Sequence, residues 1–538
     1  MTIAYARRDD AELRAALDAV PDINTLLDAH AAARGTQLAI DMPAQAGGRL
    51  RLTYAQLRRH ACALARGLRS AGVQAGDHVA ILADGQAYAE CVLAYLALLR
   101  LGAVMVPVNP RYVDSEVVYA LTLADCSAIL AQPDFAARID GCRDRLPMLR
   151  LRISIGPEPA DGWLQLVSMD EESDASLATV AGSALANILF TSGTTGKPKG
   201  VMHTHATALA TGAIFSRGLT LQCGDVFHHG IPFFTSSGAQ FALMAALWSG
   251  ATLVTEAVFD AAAVLDRMAC AGTTVYLGVP SHLLFLLDAI GARPELLLPA
   301  LRLWNYGGAP MPNEAIRVLQ QRFPAVAQRQ NYGMTETGPT GAMLDPEHLA
   351  AYMGSTGRPM PLCELRVTTA EGSLAAAGVA GEIWVRSVGC MTGYYSDPVA
   401  TAATMDQGWV RTGDLGRLDE DGFLYYVDRL KDIVNRGGLK ISSFEVEDAI
   451  HRIPGVLEAA VVSVPHARLG EDLVAFVVGR PGALLARDAL RAALAGSLAD
   501  FKVPRDIRLI DSMPRNAMGK ILKARLRELA RHAPGTAP

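Results

Sequence analysis

The stretch "GDHVAILADGQAYAECVLAYLALLRLGAVMVPVNP", residues 76–110, decides the fold class. Its two ends, "GDHVAILAD" and "VMVPVNP", are short apolar runs that finish in polar turn residues, a pattern typical of buried strands. Between them, "YAECVLAYLALLRLGA" is apolar and long enough to form a helix. A strand, a crossover helix and a second strand make a βαβ unit, so we expect a mainly parallel sheet.

The same alternation continues in both directions along the chain. "DSEVVYALTLAD" is a predicted helix, and "CSAILAQ" is the strand that follows it. The pattern returns between about residues 185 and 335, with strands "LANILF" and "TVYLGV" and helices "ATALATGAIFSRG" and "SHLLFLLDAI". Two sets of βα units are therefore expected.

The last third of the chain has a different pattern. From about 362 to 427, "LCELRVTT", "GEIWVRS" and "FLYYVDR" predict a small antiparallel β unit. After "DRLKDIVNRGG" come predicted helices "SFEVEDAIHRI", "RDALRAALAGSLA" and "KILKARLRELA", and strands "EAAVVSVP" and "DLVAFVV". We predict an α/β fold whose large N-terminal domain, residues 1–430, has layered βα subdomains and a small β-barrel-like unit. A small mobile α+β C-terminal domain, residues 431–538, follows it.

Composition excludes several classes of function. The chain has 538 residues, beyond the ~250–300 at which a single core stops growing, so at least two domains are expected. Its net charge of -5 argues against nucleic acid as a partner. The most apolar stretch is interrupted by Arg100 and Pro107 and is too short to span a bilayer, and no signal peptide is recognisable, so we expect a cytoplasmic protein. The eight cysteines include no CxxC pair and no metal-ligand spacing, which favours free thiols.

Lysine is rare and clustered. Seven of the 49 basic residues are lysines and the other 42 are arginines. The first lysines of the chain, Lys197 and Lys199, lie two residues apart in one glycine-rich loop. Where the chain keeps lysine, a compact and flexible ammonium group is favoured over a planar guanidinium.

That loop, "TSGTTGKPKG" at residues 191–200, predicts a phosphate-binding site. Glycines allow backbone N–H groups to converge on phosphate oxygens, and hydroxyl and ammonium groups complete the cradle. The Walker P-loop pattern does not fit, because only two residues separate Gly193 from Gly196 and Pro198 follows Lys197 where Ser or Thr should stand. Pro198 also prevents a helix from starting at that lysine.

The decamer resembles the phosphate loop of the acyl-adenylate-forming superfamily, which includes acyl- and aryl-CoA synthetases, beetle luciferases and adenylation domains of peptide synthetases. Further superfamily signatures follow in order over nearly the whole chain: "NYGMTETG" (331–338), "GEIWVRS", "RTGDLG" (411–416), "DRLKDIVNRGGLKIS" (428–442) and "PRNAMGK" (514–520). The resemblance implies two half-reactions: a carboxylate and MgATP give acyl-AMP and pyrophosphate, and the thiol of coenzyme A then attacks the acyl-AMP.

The resemblance also implies roles for individual residues. Lys520 is the expected catalytic cation, placed between the carboxylate and the α-phosphate, where it stabilises the charge that develops in the transition state. Thr335 is expected to donate to the α-phosphate, and Glu336 is the expected Mg²⁺ ligand, since carboxylate oxygens suit that ion. The implied nucleotide site comprises Thr191, Ser192, Gly193, Thr194, Thr195, Gly196, Lys197, Lys199, Gly307, Gly308, Ala309, Tyr332, Asp414 and Arg429. In it, Tyr332 and residues 307–309 enclose adenine, while Asp414 and Arg429 contact the ribose.

Lys431 matches the hinge of the superfamily, about which the small domain rotates after adenylation and withdraws Lys520. Gly438 matches the glycine that lets the pantetheine arm of coenzyme A approach the backbone in the second step. One half-reaction on each face of the small domain is therefore expected.

The implied acyl pocket comprises Phe234, Thr235, Val279, Gly333 and Met334. Many CoA synthetases have histidine and amino-acid-activating domains have aspartate where this chain has Thr235, so an amino acid substrate is not expected. His228 and His229 are interpreted as polar residues at a strand end, and His203 and His205 as supports of the phosphate loop.

The sequence thus predicts an AMP-forming acid–CoA ligase for a fatty, alicyclic or aromatic acid. Three alternatives remain: a stand-alone ligase that loads a carrier protein, an oxygenase of the luciferase type, and an inactive nucleotide-binding homologue. No carrier domain is recognisable after Lys520, and Asn435 replaces a lysine used in luciferases. The oligomeric state is left open, with a homodimer as one candidate.

Overall fold

The computed structural model describes residues 4–156, 158–166, 180–191, 198–293, 295–309, 311–515 and 521–531. Within these ranges the helices are α1 (Ala11–Asp18), α2 (Ile23–Arg34), α3 (Tyr54–Ser70), α4 (Tyr88–Leu101), α5 (Asp114–Leu123), α6 (Ala136–Asp140), α7 (His205–Gly218), α8 (Leu243–Ser249), α9 (Ala261–Ala271), α10 (Pro280–Gly291), α11 (Asn313–Arg322), α12 (Pro398–Thr404), α13 (Ser443–His451), α14 (Arg487–Ala495) and α15 (Lys523–Arg531).

The strands that precede residue 345 are β1 (Tyr5–Arg8), β2 (Leu38–Pro43), β3 (Arg49–Thr53), β4 (His78–Leu82), β5 (Val104–Val108), β6 (Ala128–Ala131), β7 (Leu151–Ser154), β8 (Leu164–Gln165), β9 (Leu185–Thr191), β10 (Lys199–Thr204), β11 (Val226–His229), β12 (Thr252–Thr255), β13 (Val275–Gly278), β14 (Leu303–Gly307), β15 (Ala327–Tyr332) and β16 (Ala342–Leu344). The later strands are β17 (Arg358–Pro359), β18 (Cys363–Thr368), β19 (Gly381–Ser387), β20 (Gly393–Tyr394), β21 (Met405–Asp406), β22 (Trp409–Leu418), β23 (Leu424–Arg429), β24 (Val434–Arg436), β25 (Leu439–Ile441), β26 (Val456–His466), β27 (Gly470–Gly479) and β28 (Asp506–Leu509).

Two large, mainly parallel sheets carry the βα units, as predicted. In the described part of the chain one sheet has eight strands in the order β20-β10-β9-β5-β4-β6-β7-β8, and the other has nine in the order β17-β16-β15-β14-β13-β11-β12-β2-β3. In the stretch quoted above, β4 pairs in parallel with β5, and α4 between them is buried along nearly its whole length. The α/β fold class is confirmed.

The predicted antiparallel β unit is the third sheet. It runs β1-β18-β19-β22-β21, with β23 paired to β22, and all these pairs are antiparallel. β1, at the start of the chain, pairs with β18 more than 350 residues later, with Tyr5 opposite Arg366.

The C-terminal module has its own sheet and core. β24, β25, β26 and β27 are antiparallel, β28 runs parallel to β27, and α13, α14 and α15 contact this sheet. The last helix begins at Lys523, three residues after the predicted start at Lys520. Just before it, Arg515 forms a β-bridge with Ile521, and the backbone N–H of Leu522 donates to Pro514 O at 2.8 Å. Residues 516–520, which include Lys520, lie outside the described residues.

None of the described helices combines the length and the apolar character that crossing a bilayer requires. The eight cysteines are free, five of them buried.

Candidate active site

The predicted phosphate loop joins two antiparallel strands. β9 ends at Thr191 and β10 begins at Lys199, and these two residues are opposite each other in the ladder. A strand follows the loop, in agreement with the expectation that Pro198 prevents a helix there. The loop residues Ser192, Gly193, Thr194, Thr195, Gly196 and Lys197 lie outside the described residues.

Lys199 contacts an aromatic side chain that the sequence did not single out. Its Nζ lies 4.6 Å from the ring centroid of Tyr394, in the geometry of a cation–π contact. The hydroxyl of Tyr394 in turn donates to Oε1 of Glu336 at 2.9 Å. Tyr394 therefore connects the end of the phosphate loop to the carboxylate that is the expected metal ligand.

Glu336 is a buried carboxylate in a polar environment. It lies in a 3-10 turn, Thr335–Thr337, directly after β15, and its residue is 5% exposed. Burial raises the pKa of its carboxyl group, and the hydrogen bond from Tyr394 and the charges of Arg429 and Lys199 oppose that rise. A carboxylate with one oxygen fixed by a phenol fits a divalent ion on the phosphates of a nucleotide.

Thr335 is held by two side chains from other elements. The hydroxyls of Ser236 and Thr335 are 2.9 Å apart, and Nε2 of His203 lies 2.9 Å from the carbonyl oxygen of Thr335. Burial lowers the pKa of His203 to about 4, so its ring is neutral at pH 7. Because a carbonyl can only accept, Nε2 carries the hydrogen and donates it. His203 is thus a positioning residue on β10 that bonds the Thr335 turn, and its expected support of the phosphate loop stays a prediction.

The expected ribose contacts converge on one carboxylate. Asp414 on β22 is 4% exposed and lies opposite Arg429 of β23 in the ladder. The hydroxyl of Tyr332 donates to Oδ2 of Asp414 at 2.7 Å, and Nε of Arg429 lies 3.1 Å from Oδ1. Burial and the Asp414 charge raise the pKa of Tyr332. The structure therefore brings together three of the residues that the sequence assigned to adenosine: Tyr332, Asp414 and Arg429.

The glycines of "YGGAP" allow neighbouring groups to come close to the backbone at the end of β14. A Cβ on Gly307 would lie 2.5 Å from Nδ2 of Asn331 on the neighbouring strand. Gly308 has φ of +78° and, like Ala309, is exposed at the carboxyl end of β14. This edge of the sheet is where parallel α/β sheets bind ligands.

The side chain of Thr235 is hydrogen-bonded to nearby backbone groups. It is the N-cap of a π-helical segment, Ser236–Ala242, in which its hydroxyl donates to Pro232 O at 2.9 Å and accepts from the Gly238 N–H at 3.0 Å. Both functions of the hydroxyl are therefore used by the backbone. Phe234, which precedes it, is half-buried.

The other three residues of the expected acyl pocket lie at carboxyl ends of strands. Val279 follows β13 and precedes α10, and Gly333 and Met334 follow β15. A Cβ on Gly333 would lie 1.8 Å from Pro339 O, so only glycine fits there. All three are half-buried.

The connector to the C-terminal module is fixed by Asp428. Its Oδ2 accepts from the backbone N–H of Ser443 at 2.6 Å and from the Ser443 hydroxyl at 2.7 Å, at the start of α13. Burial and the charge of Arg429 lower the pKa of Lys431, the expected hinge residue. Gly438 has φ of +90°, and a Cβ there would meet no atom within 4 Å.

The C-terminal module contacts the large domain on the side of α10. Nη1 of Arg480 lies 2.5 Å from Oδ1 of Asp288. Burial, followed by the positive charge of Arg515, lowers the pKa of His282 on α10 to about 4. Arg515 precedes Lys520 by five positions in the sequence, and Lys520 lies outside the described residues.

Sequence reasoning missed four contributors to this site: Tyr394, Ser236, Asp428 and Asn331. "SSG" and "GYY" are short polar or aromatic pieces within otherwise ordinary segments, and their importance arises from contacts with residues far away in the chain. Asp428 was quoted within a motif, but its contacts with α13 could not be read from spacing.

Comparisons with known proteins agree with this architecture. The model of the AMP-binding enzyme family matches residues 27–395, and that of the AMP-binding enzyme C-terminal domain matches residues 445–520. The 3-[(3aS,4S,7aS)-7a-methyl-1,5-dioxo-octahydro-1H-inden-4-yl]propanoyl:CoA ligase of Rhodococcus jostii (strain RHA1) is 34% identical over 505 residues, which cover 91% of this chain and 96% of that protein. The feruloyl-CoA synthase of an Amycolatopsis species is 35% identical over 494 residues, covering 88% of this chain and 93% of that one.

Solved structures give the same result. ATP-bound MatB from Rhodopseudomonas palustris superimposes with a TM-score of 0.83 at 30% identity, over 95% of this chain and 99% of that chain. The matches extend over nearly the whole length of both partners, and both parts of the chain are matched by models of one family. The chain therefore belongs to the AMP-binding enzyme family, the acyl-adenylate-forming superfamily, and lies in its acyl-CoA synthetase branch.

Proposed function

We propose that this AMP-forming acid–CoA ligase, which uses ATP and coenzyme A, activates an uncharged, mainly apolar carboxylic acid with an alicyclic or aromatic ring. The observation that carries the proposal is the absence of charge among the residues expected to form the acyl pocket: Phe234, Thr235, Val279, Gly333 and Met334 are uncharged, and the Thr235 hydroxyl is engaged by backbone. An α-ammonium group would find no carboxylate among these residues. The relatives from Rhodococcus and Amycolatopsis, named for ring-bearing acids, support this choice.

In the first half-reaction, the carboxylate attacks the α-phosphorus of ATP, and pyrophosphate leaves. Two anions must approach, so a cation between them lowers the barrier, and Lys520 is the proposed group. The Thr335 hydroxyl, held by Ser236, is the proposed donor to an α-phosphate oxygen. Glu336 would hold Mg²⁺, which neutralises charge on the phosphates when bound.

The adenosine part would lie across Tyr332, with residues 307–309 on the opposite side. Asp414 is proposed to accept from the ribose hydroxyls, and Arg429 to contact the same sugar. The Tyr332–Asp414 hydrogen bond of 2.7 Å supports this assignment because it fixes the carboxylate beside the aromatic ring. The loop of residues 191–197, with Lys199, is proposed to bind the phosphates.

In the second half-reaction, the C-terminal module, residues 431–538, is proposed to rotate about Lys431 relative to residues 1–430. In the described arrangement no atom lies within 4 Å of the place that a Cβ on Gly438, the proposed neighbour of the pantetheine arm, would occupy.

The test is a panel of carboxylic acids assayed with MgATP and coenzyme A for AMP release. Alicyclic and aromatic acids should be used with higher kcat/KM than amino acids, and free coenzyme A should be converted to a thioester. Release of AMP only when a carrier protein supplies the thiol would favour the carrier-loading alternative. Absence of acid-dependent pyrophosphate exchange with every acid would contradict the proposal and favour an inactive homologue.

A further inference from the structure

Pro198, which precedes β10, is held by a side chain from a distant helix. Proline has no backbone N–H, so the carbonyl oxygen is the one backbone group of Pro198 that can form a hydrogen bond. The described part of the β9–β10 ladder begins one residue later, at the pair of Lys199 and Thr191. The Pro198 carbonyl oxygen accepts from the hydroxyl of Tyr119 on α5, at 3.0 Å.

Helix α5 is firmly packed against the strands that flank the phosphate loop. Its residues Val117 and Leu121 lie in the same core as Ile188 of β9. Met202 of β10 packs against that core. A hydroxyl on a helix fixed in this way holds its acceptor in place more precisely than a hydroxyl on a loop would.

The residue after Pro198 begins a row of contacts that leads to the expected metal ligand. Nζ of Lys199 lies 4.6 Å from the ring centroid of Tyr394, and the hydroxyl of Tyr394 donates to Oε1 of Glu336 at 2.9 Å. The row therefore runs from the Tyr119 hydroxyl through the backbone of Pro198 and Lys199 to Glu336. Each of its links joins residues that the structure describes.

The outer phosphates of ATP are the groups that this row suits. Lys199 brings a positive charge to the neighbourhood of Glu336, and the β- and γ-phosphates carry most of the negative charge of ATP. A lysine ammonium is a point charge on a flexible stem, so its reach depends on where its backbone is held. AMP lacks the two outer phosphates, and its binding should depend much less on that position.

We propose that Tyr119 is a positioning residue for the phosphate-binding Lys199. Its hydroxyl fixes the Pro198 carbonyl and so sets the backbone from which Lys199 reaches the outer phosphates of ATP. Tyr119 acts through Lys199 and not by touching the nucleotide. This inference rests on the proposed function, in which residues 191–197 and Lys199 bind the phosphates, and it adds a residue from a helix outside that loop.

The first test compares two ligands that share adenosine and differ in the outer phosphates. α,β-Methylene-ATP with Mg²⁺, which cannot be cleaved to AMP, and AMP itself are titrated into the parent protein and Tyr119→Phe by calorimetry. The Kd of the methylene analogue should rise about three- to tenfold, the size of one lost neutral hydrogen bond. The Kd of AMP should stay nearly constant. Equal changes for both ligands, or a change for neither, would overturn the inference.

The two half-reactions give a second readout. Tyr119→Phe should raise the KM of ATP in pyrophosphate exchange by a similar factor. It should leave the conversion of supplied acyl-AMP and coenzyme A to thioester unchanged, because no outer phosphate takes part in that step. A merely structural role of Tyr119 would instead lower both rates together, through the fraction of folded protein.

A double-variant cycle tests whether Tyr119 acts through Lys199. Lys199→Met should weaken binding of the methylene analogue, and Tyr119→Phe should add little to that loss, since residues that act as one unit are not additive. Losses that multiply would show that Tyr119 acts by another route and would contradict the inference.

Tyr395→Phe is the matched control. The hydroxyl of Tyr395 also bonds a group near the end of α5, Oδ2 of Asp125 at 3.0 Å, but it does not hold the Pro198 carbonyl. This variant should bind the methylene analogue as the parent does. Thermal unfolding of each variant reports its stability independently.

The outcomes separate this inference from the proposed function. If the methylene analogue responds to both substitutions as expected but no acid in the panel releases AMP, the proposed function fails and the positioning role of Tyr119 stands. If Lys199→Met weakens binding and Tyr119→Phe does not, the inference alone fails. If Lys199→Met has no effect, the proposed phosphate contact of Lys199 fails and the inference fails with it.

Discussion

At the scale of single residues, the site depends on a few side chains whose partners are far away in the chain. Glu336 accepts from Tyr394, and Thr335 is held by Ser236 and His203. These contacts connect three elements to the Thr335–Thr337 turn, so its side chains are already oriented before a substrate binds. Lys520 is the proposed residue that must be brought to this turn.

Lys520→Ala should lower acyl-AMP formation by ~10²–10⁴-fold, because it removes the cation proposed to stabilise the transition state. The variant should still convert supplied acyl-AMP and coenzyme A to thioester. Pyrophosphate exchange measures the first step, and thioester release measures the second. Lys502→Ala is the matched control, since Lys502 pairs with Glu445 at 2.6 Å. Equal slowing of both steps in Lys520→Ala would contradict the assignment.

Tyr394→Phe should weaken the binding of divalent ions by roughly 10- to 100-fold, because the phenol fixes one oxygen of Glu336, and loss of such outer contacts has an effect of this size. Mn²⁺ binding in the presence of ATP, followed by electron paramagnetic resonance, checks this without turnover. Tyr395→Phe is the neighbouring control, since the Tyr395 hydroxyl bonds Asp125 instead. A Mn²⁺ affinity equal to that of the parent protein would show that Tyr394 has no influence on Glu336.

At the scale of elements, the N-terminus of α13 is bonded to the large domain, and this contact fixes the start of the C-terminal module. Helix α13 begins at Ser443 with Ser442 as its N-cap, and Asp428 of β23 adds a carboxylate to the same end. A carboxylate at a helix N-terminus bonds unpaired N–H groups and complements the helix dipole. One residue of the large domain thus stabilises the first helix after the connector.

Asp428→Ala should destabilise α13 by about 1–3 kcal/mol, the range for losing a charged partner of buried N–H groups. Hydrogen exchange of residues 443–451 should become faster by the corresponding factor. Asp397→Ala, which removes the cap of α12 in the large domain, is the control and should leave exchange of α13 unchanged. Unaltered exchange in the Asp428 variant would mean that Ser442 alone fixes this helix end.

At the scale of the whole molecule, the two proposed half-reactions require two arrangements of the C-terminal module. In the described arrangement the N–H of Gly438 donates to Oδ1 of Asn435 at 3.1 Å, and a Cβ on Gly438 would meet no atom within 4 Å. A glycine with free space around it gains a steric role only when the module moves.

Gly438→Ala should lower the rate of thioester formation from supplied acyl-AMP while pyrophosphate exchange changes little. Because φ is +90° at Gly438, the variant also strains the backbone, so Gly437→Ala, at φ of +62°, is the matched control. A loss confined to the second step in the Gly438 variant supports rotation about Lys431. Equal losses in the two variants would point to strain alone.

Buried histidines make the stability of the whole molecule dependent on pH. Burial lowers the pKa of His205 to about 4, from an ordinary value of 6.5. Between these two pKa values the unfolded chain binds the proton more readily than the folded chain does. The contribution of the neutral His205 to stability is therefore fully present above pH 6.5 and is lost as pH falls. At pH 5, His205 alone should lower the free energy of unfolding by about 2 kcal/mol. Urea unfolding at pH 8 and pH 5 checks this, and His205→Gln should reduce the difference by about that amount; an unchanged difference would exclude His205 as a source.

Local patterns along the sequence determined the helices, the strands and the family. The βα alternation around residues 76–110, the antiparallel unit and the α+β module were predicted from period and turn residues, since these depend on neighbours a few positions apart. The motifs singled out Tyr332, Asp414 and Arg429, and the structure brings them together, with Asp414 within β22 opposite Arg429 at the end of β23 and bonded by Tyr332 at the end of β15.

Tertiary structure alone decided which distant residues meet. The pairing of β1 with β18, the contact of Tyr394 with Glu336, and the hydrogen bond from Tyr119 to Pro198 depend on strand order, register and helix packing, which no local pattern encodes. Likewise, only folding shows that the hydroxyl of Thr235, an expected residue of the acyl pocket, caps a helix. Side-chain atoms form short-range bonds, so their partners are fixed only once the whole chain has packed.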